Sequence, residues 1–165
     1  MKTLAELRRT FSHAGEIAWI GVRPARDEPM EVLEEVVATV AEGLAGDRFA
    51  AKRSDVRAVT LVQAEHLSVI AALVGRHEVA PADLRRNLLV RGINLLALKG
   101  QPISVGDAVL ELTGQCHPCS KMEKRLGTGA YNAMRGHGGM TARVIKSGTI
   151  RVGDWVEPLP ETTGG

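Results

Sequence analysis

The ten residues I-S-V-G-D-A-V-L-E-L at 103–112 return as I-R-V-G-D-W-V-E-P-L at 150–159, identical at Ile, Val, Gly, Asp, Val and Leu. In each copy a Gly-Asp pair, suited to a tight turn, stands between two short apolar runs, which is the pattern of a β-hairpin. Two such hairpins in one chain of 165 residues predict a small antiparallel β-barrel, closed or partly closed, with a few short helices. The 18 glycines and the short strands agree with that mainly β architecture better than with alternating strands and helices. No G-x-G-x-x-G or G-x-x-x-x-G-K-S/T joins a strand to a helix, so a nucleotide-binding doubly wound sheet is disfavoured.

Around the repeat, the spacing of Leu4, Leu7 and Phe11 predicts a short helix over 3–11, and I-A-W-I-G-V a strand ended by Pro24. Residues 63–74, with Leu67, Ile70, Ala71 and Val74 on one face, predict an amphipathic helix closed by Gly75. Asn87 to Val90 returns to β. Residues 30–44 fit both periods: Met30, Leu33, Val37, Val40 and Leu44 suit a helix, while V-V-A-T-V at 36–40 is β-branched. We assign 36–40 to a strand.

The length gives room for about one domain, read as the whole of 1–165 with loose ends. Charged residues number 21 basic and 19 acidic, a net +2, too even a balance to predict a nucleic-acid or membrane partner. Aromatic residues make up 3%, too few for a base-stacking groove. The N-terminal M-K-T-L-A-E-L-R-R-T lacks the apolar stretch of a secretory signal, and a cytoplasmic location is expected.

Both cysteines lie in C-H-P-C-S-K-M-E at 116–123. Ser120 and Glu123 have capping-box spacing and Gly127 is a natural stop, which puts Cys119 just before a short helix. A helix N-terminus with Lys121, Lys124 and Arg125 nearby is expected to lower the Cys119 thiol pKa, suiting it to sulfur transfer, redox chemistry or soft-metal ligation. Both cysteines could equally be small buried apolar groups. A zinc site needs two further ligands, for which His117 and His137 are the neighbours in sequence. A disulfide switch resembles C-H-P-C locally but belongs in a βαβ setting.

Four blocks in order, G-L-A-G-D-R at 43–48, L-R-R-N-L-L-V-R-G-I at 84–93, L-K-G-Q-P-I-S-V-G-D at 98–107 and T-G-Q-C-H-P-C at 113–119, resemble the MOSC domain, the C-terminal domain of molybdenum cofactor sulfurases. The likeness runs over about 15–158. It implies a β-barrel, a link to molybdenum-cofactor or metal–sulfur chemistry, and Cys119 as the cysteine that carries sulfur as a persulfide or ligates molybdenum. Full sulfurases carry a pyridoxal-phosphate desulfurase domain for which this chain has no room, so no pyridoxal-phosphate site is expected. The sulfur would come from a cysteine desulfurase or another donor, and a molybdoenzyme could receive it. Some relatives reduce N-hydroxylated compounds with molybdenum cofactor, which is an alternative. A non-enzymatic zinc-binding or redox-sensing C-x-x-C module is another.

Candidate cofactor contacts are Arg48, Arg86, Asn87 and Cys116. Arg48 could meet a cofactor phosphate, or pair with Asp47 to pin a turn. Strand alternation would place Arg85 and Asn87 on one face and Arg86 on the other. His66 reads as a helix-surface residue, and His137 as part of a turn that could close over the cysteines.

Overall fold

The computed structural model describes residues 1–49 and 55–160. Eleven strands occur among them: β1 (Gly15–Val22), β2 (Glu31–Leu33), β3 (Glu35–Thr39), β4 (Gly43–Leu44), β5 (Val59–Gln63), β6 (Leu88–Arg91), β7 (Pro102–Val105), β8 (Ala108–Gln115), β9 (Met140–Lys146), β10 (Gly148–Arg151) and β11 (Trp155–Pro158). Four helices accompany them: α1 (Leu4–Arg9), α2 (Ala64–Val74), α3 (Lys121–Leu126) and α4 (Ala130–Met134). Strands pair in the order β11-β7-β8-β9-β5-β6-β1, and a β11–β1 pairing closes the ring. The mainly β barrel expected from the sequence is therefore present, with seven strands in the closed ring. All its pairings are antiparallel except β5 with β6; α2 and the segment after it make the longer connection that a parallel pair needs. No helix of the described residues is long and apolar enough to cross a membrane.

The first copy of the repeat forms the expected hairpin, β7 with β8. The second does not. Its strands β10 and β11 enter different sheets, β10 pairing with β3 and β11 with β7 and β1. The two Gly-Asp turns instead pack on each other. Gly106 N donates to Trp155 O at 3.3 Å and Asp107 N to Thr149 O at 3.0 Å, and a Cβ on Gly106 would lie 2.2 Å from Asp154 Oδ2. The resemblance of the two copies reflects two turns in one corner of the fold, and only one of them is a hairpin.

Residues 30–44 follow the strand period. Val36 and Ala38 are buried while Val37 and Val40 are exposed, so the residues two apart share the covered face. The strand ends at Thr39, one residue before the expected limit. At the N-terminus α1 stops at Arg9 and buries none of its residues, held by a Thr3–Glu6 capping box. Phe11, expected inside the helix, lies beyond it and packs on the barrel core.

Two apolar clusters share the wall formed by β5 and β6. Leu61, Leu88 and Val90 face the barrel interior with Ile17, Ile20, Leu110 and Leu112. Val62 and Leu89 face outward and meet Ile70 of α2, Met122 and Leu126 of α3, and Met134 of α4. Covered on both sides, β5 has every residue buried, which explains the unbroken V-T-L-V. Burial of a large apolar side chain contributes about 1.5–3 kcal/mol, and the outer cluster thereby fixes the β8–β9 connection that carries both cysteines.

Candidate functional site

Strand β8 ends at Gln115, and the next four residues are Cys116, His117, Pro118 and Cys119. Cys116 is 7% exposed, whereas Cys119 is open to solvent, and both are free thiols. The backbone of Cys116 is clamped by the loop that returns to β9. Its N–H donates to Gly139 O at 2.8 Å, and a Cβ on Gly138 would stand 2.3 Å from its carbonyl oxygen. Gly139, at φ +91°, leaves only 2.0 Å between an added Cβ and Leu61 O. The sequence G-H-G-G thus lets one loop press against both β5 and the cysteine segment.

Helix α3 begins where expected, with Cys119 immediately before the Ser120 cap position, and Gly127 N–H closes it on Glu123 O at 3.0 Å. The capping box does not form. Ser120 is itself in the right-handed helical region and makes no side-chain cap. The Glu123 carboxylate accepts instead from Gly129 N at 2.9 Å and Tyr131 N at 2.8 Å, at the start of α4. A helix of six residues supplies little field at Cys119, and Lys121 is paired with Asp27.

Arg86 is the cation on which the charges of both cysteines act. It is 8% exposed; its Nε donates to Gly138 O at 2.8 Å and its Nη1 to Leu84 O at 3.1 Å. No carboxylate of the described residues pairs with it. Burial lowers its pKa, and charge on Cys116, and more weakly on Cys119, opposes that shift. A buried cation is costly unless an anion answers it. Cys116 and Cys119 are the groups whose charge would favour the guanidinium form.

Sequence alternation misplaced this segment. The strand begins only at Leu88, and Arg85 sits at φ 54° as the left-handed cap of a 3-10 turn over Pro81–Leu84. That reversal resets the faces, so Arg86 and Asn87 are both buried. Asn87, a candidate cofactor contact, has its amide committed within the fold: Oδ1 accepts from Thr60 N and Thr60 Oγ1 at 3.0 Å each, and Nδ2 donates to Gly21 O and Asp47 Oδ1 at 3.1 Å each. It braces β1, β5 and the segment after β4.

Asp47 does not pair with Arg48. Its carboxylate takes Arg23 Nη2 at 2.8 Å and Nε at 3.1 Å. Burial works to raise the Asp47 pKa, yet the hydrogen bonds and charge of Arg23 outweigh it and hold the carboxyl below its usual range. Arg48 is left exposed, with no carboxylate partner among the described residues. Arg85 is depressed by burial and then by the charges of Arg125, Arg23 and Arg48, while Asp27 opposes them; the result is a mostly basic patch in which Arg23 is already paired with Asp47. Such a patch fits an anionic group.

His137 packs on His66. Its ring stands edge-on to that of His66, centroids 5.1 Å apart, and Nδ1 lies 3.2 Å from Ala133 O. The two rings line a cavity of about 300 Å³ with Gln63, Asn94, Gln115 and Gly139. His117 is exposed. Among the described residues no three His, Cys, Asp or Glu side chains converge on a metal-sized site, so the ligand set required for zinc is not assembled. The His66–His137 pair escaped sequence reasoning because 71 residues separate its members and neither stands in a metal-type spacing.

With the cysteine loop, Arg86 and the closed barrel in place, comparison with known proteins decides the family: residues 48–157 match the MOSC domain. The chain belongs to the MOSC domain family. This domain is associated with molybdenum-cofactor biology. Among solved structures, the fold is similar to the YuaD protein from Bacillus subtilis, with TM-score 0.78 and 18% identity over 87% of this chain and 94% of that one. YiiM from Geobacillus stearothermophilus gives 0.72 and 18%, over 91% and 77%. YiiM from Escherichia coli gives 0.67 and 20%, over 91% and 70%. At these identities the likeness concerns the fold. A search of curated proteins finds no significant match.

Proposed function

We propose that this MOSC domain handles sulfur for molybdenum-cofactor or related metal–sulfur chemistry, with Cys119 as the atom that carries it. The carrying observation is an exposed thiol whose charge acts on a buried guanidinium that no carboxylate of the described residues neutralises. In the step, the Cys119 thiolate attacks the outer sulfur of a donor persulfide. The bond from that sulfur to the donor breaks, the donor leaves as a thiolate, and Cys119 holds the persulfide, with no net oxidation or reduction. Arg86 contributes positive charge to the site, and the exposure of Cys119 lets a donor protein such as a cysteine desulfurase approach. A molybdoenzyme is the recipient this reading implies.

A second reading rests on the basic patch. Arg48 and Arg85 fit the phosphate of a pterin cofactor, and Cys119 fits a soft thiolate ligand to its metal. When bound, that cofactor supplies two-electron chemistry such as reduction of N-hydroxylated compounds. The chain's own part is to bind the anionic end and present one sulfur.

The test is intact-mass spectrometry with metal analysis. Incubated with free cysteine alone, the protein stays unmodified; with a cysteine desulfurase added, Cys119 gains one sulfur, about 32 Da. No added mass together with stoichiometric molybdenum in protein from a cofactor-competent host rejects the carrier in favour of ligation. Neither signal, with zinc bound, rejects both.

A further inference from the structure

Cys116 takes no part in the transfer step above, yet it is the thiol more closely coupled to Arg86. Arg86 Nε and Cys116 N–H are fastened to consecutive carbonyls of one loop, Gly138 O and Gly139 O, both at 2.8 Å. The loop cannot shift without moving the cation and the cysteine together, because Gly138 presses on the Cys116 carbonyl and Gly139 on Leu61. Cys116 is at the same time shielded from solvent, and a buried thiol in an apolar setting is ordinarily inert. Here the setting includes a desolvated guanidinium held by the same loop. A nucleophile so placed is hidden from external reagents and has one electrophile within a C-x-x-C span, a sulfur carried on Cys119.

We propose that Cys116 is the resolving thiol of the site, converting the Cys119 persulfide into a Cys116–Cys119 disulfide with release of sulfide. The inference rests on the carrier reading of Cys119. The Cys116 thiolate attacks Cys119 Sγ, the new Sγ–Sγ bond forms, and the Cys119 Sγ–sulfane bond breaks. The sulfane sulfur departs with the electron pair as hydrosulfide. Cys116 is oxidised to the disulfide level, Cys119 Sγ keeps the level it had in the persulfide, and the sulfane sulfur is reduced to sulfide, so electrons balance. A low-molecular-weight thiol or a dithiol protein then reduces the disulfide and restores the pair. The site would thus deliver sulfur as free sulfide, the form in which a metal centre can take it up, and not only by direct persulfide exchange.

The experiment loads wild type, Cys116→Ser, Cys116→Ala and Cys119→Ser with inorganic polysulfide without reductant, desalts them, and reads intact mass and released sulfide. Wild type is expected to lose two hydrogens, about 2 Da, and to release roughly one equivalent of sulfide. Both Cys116 variants are expected to keep one added sulfur on Cys119, and Cys119→Ser to stay unmodified. Wild type that keeps the added sulfur, with Cys116 still alkylatable after denaturation, overturns the resolving role and leaves the carrier intact. Cys116 variants that take up no sulfur while remaining folded by circular dichroism overturn the carrier reading and this inference with it.

Discussion

Asn87 Nδ2 donates to Asp47 Oδ1 at 3.1 Å while Arg23 grips the same carboxylate through Nε and Nη2. This links a fully buried amide, which also holds Thr60 and Gly21, to an ion pair at the barrel rim. Asp47→Ala strands both partners, and breaking such a covered pair costs about 3 kcal/mol. The pH dependence has a fixed sign. Because the folded Asp47 pKa lies below its ordinary value, its contribution is complete above about pH 4 and is lost as pH falls through the lower folded value. Urea midpoints from pH 7 to pH 3 should fall more steeply for wild type than for Asp47→Asn.

The cysteines should differ sharply in access. Iodoacetamide under native conditions is expected to label Cys119 in wild type and in Cys116→Ser, and to leave Cys119→Ser almost unlabelled until denaturant is added. Peptide mapping after a short pulse reads this directly. Rapid native labelling of Cys116 would contradict its burial beneath the 136–139 loop.

The barrel was legible in the sequence because its cues are local: short β-branched runs, turns marked by Gly-Asp, and Gly75 closing α2 at φ 72°. Pairing between strands is not local, so the second repeat read as a hairpin although its halves join different sheets. The position of Cys119 just before a short helix was legible from its motif. Arg86 was found, but its burial was hidden by Arg85, whose left-handed turn breaks the alternation on which the facing was argued. Glu123 shows the same limit, since its capping-box spacing fits Ser120 while the backbone offers better donors at Gly129 and Tyr131.

The loop glycines form a graded series. Gly139→Ala forces a Cβ to within 2.0 Å of Leu61 O at φ +91°, and should cost about 3 kcal/mol or more through clash and strain combined. Gly138→Ala should push Cys116 off its carbonyl contact, lowering the thermal midpoint and raising native labelling of Cys116. Gly136→Ala, also at positive φ but with nothing within 4 Å, should cost only about 1 kcal/mol. Thermal melts of the three variants order them, and equal losses would contradict the clamp.

Arg48 should matter to an anion and little to the fold, whereas Arg85 also holds the Ala25 and Glu28 carbonyls. Arg48 is exposed without a carboxylate partner among the described residues, so Arg48→Ala should leave the thermal midpoint within error. Pyrophosphate, used as the probe, should bind wild type in a salt-sensitive manner by calorimetry, and several-fold more weakly in Arg48→Ala. Unchanged affinity would remove the support that the patch gives to a phosphate-bearing cofactor.

His66 supplies a test at milder pH. Burial first, and the neighbouring His137 second, lower its pKa, while Glu65 opposes them. A histidine that resists protonation in the fold but accepts it freely when unfolded makes the unfolded chain the better proton acceptor. Stability is therefore whole above the ordinary histidine value of about 6.5 and declines as pH falls toward the lower folded value. His66→Gln removes that linkage while keeping a polar group against the His137 ring. Between about pH 7 and pH 5 the urea midpoint of wild type should fall further than that of His66→Gln, and parallel curves would show that the edge-on pair does not feel its burial.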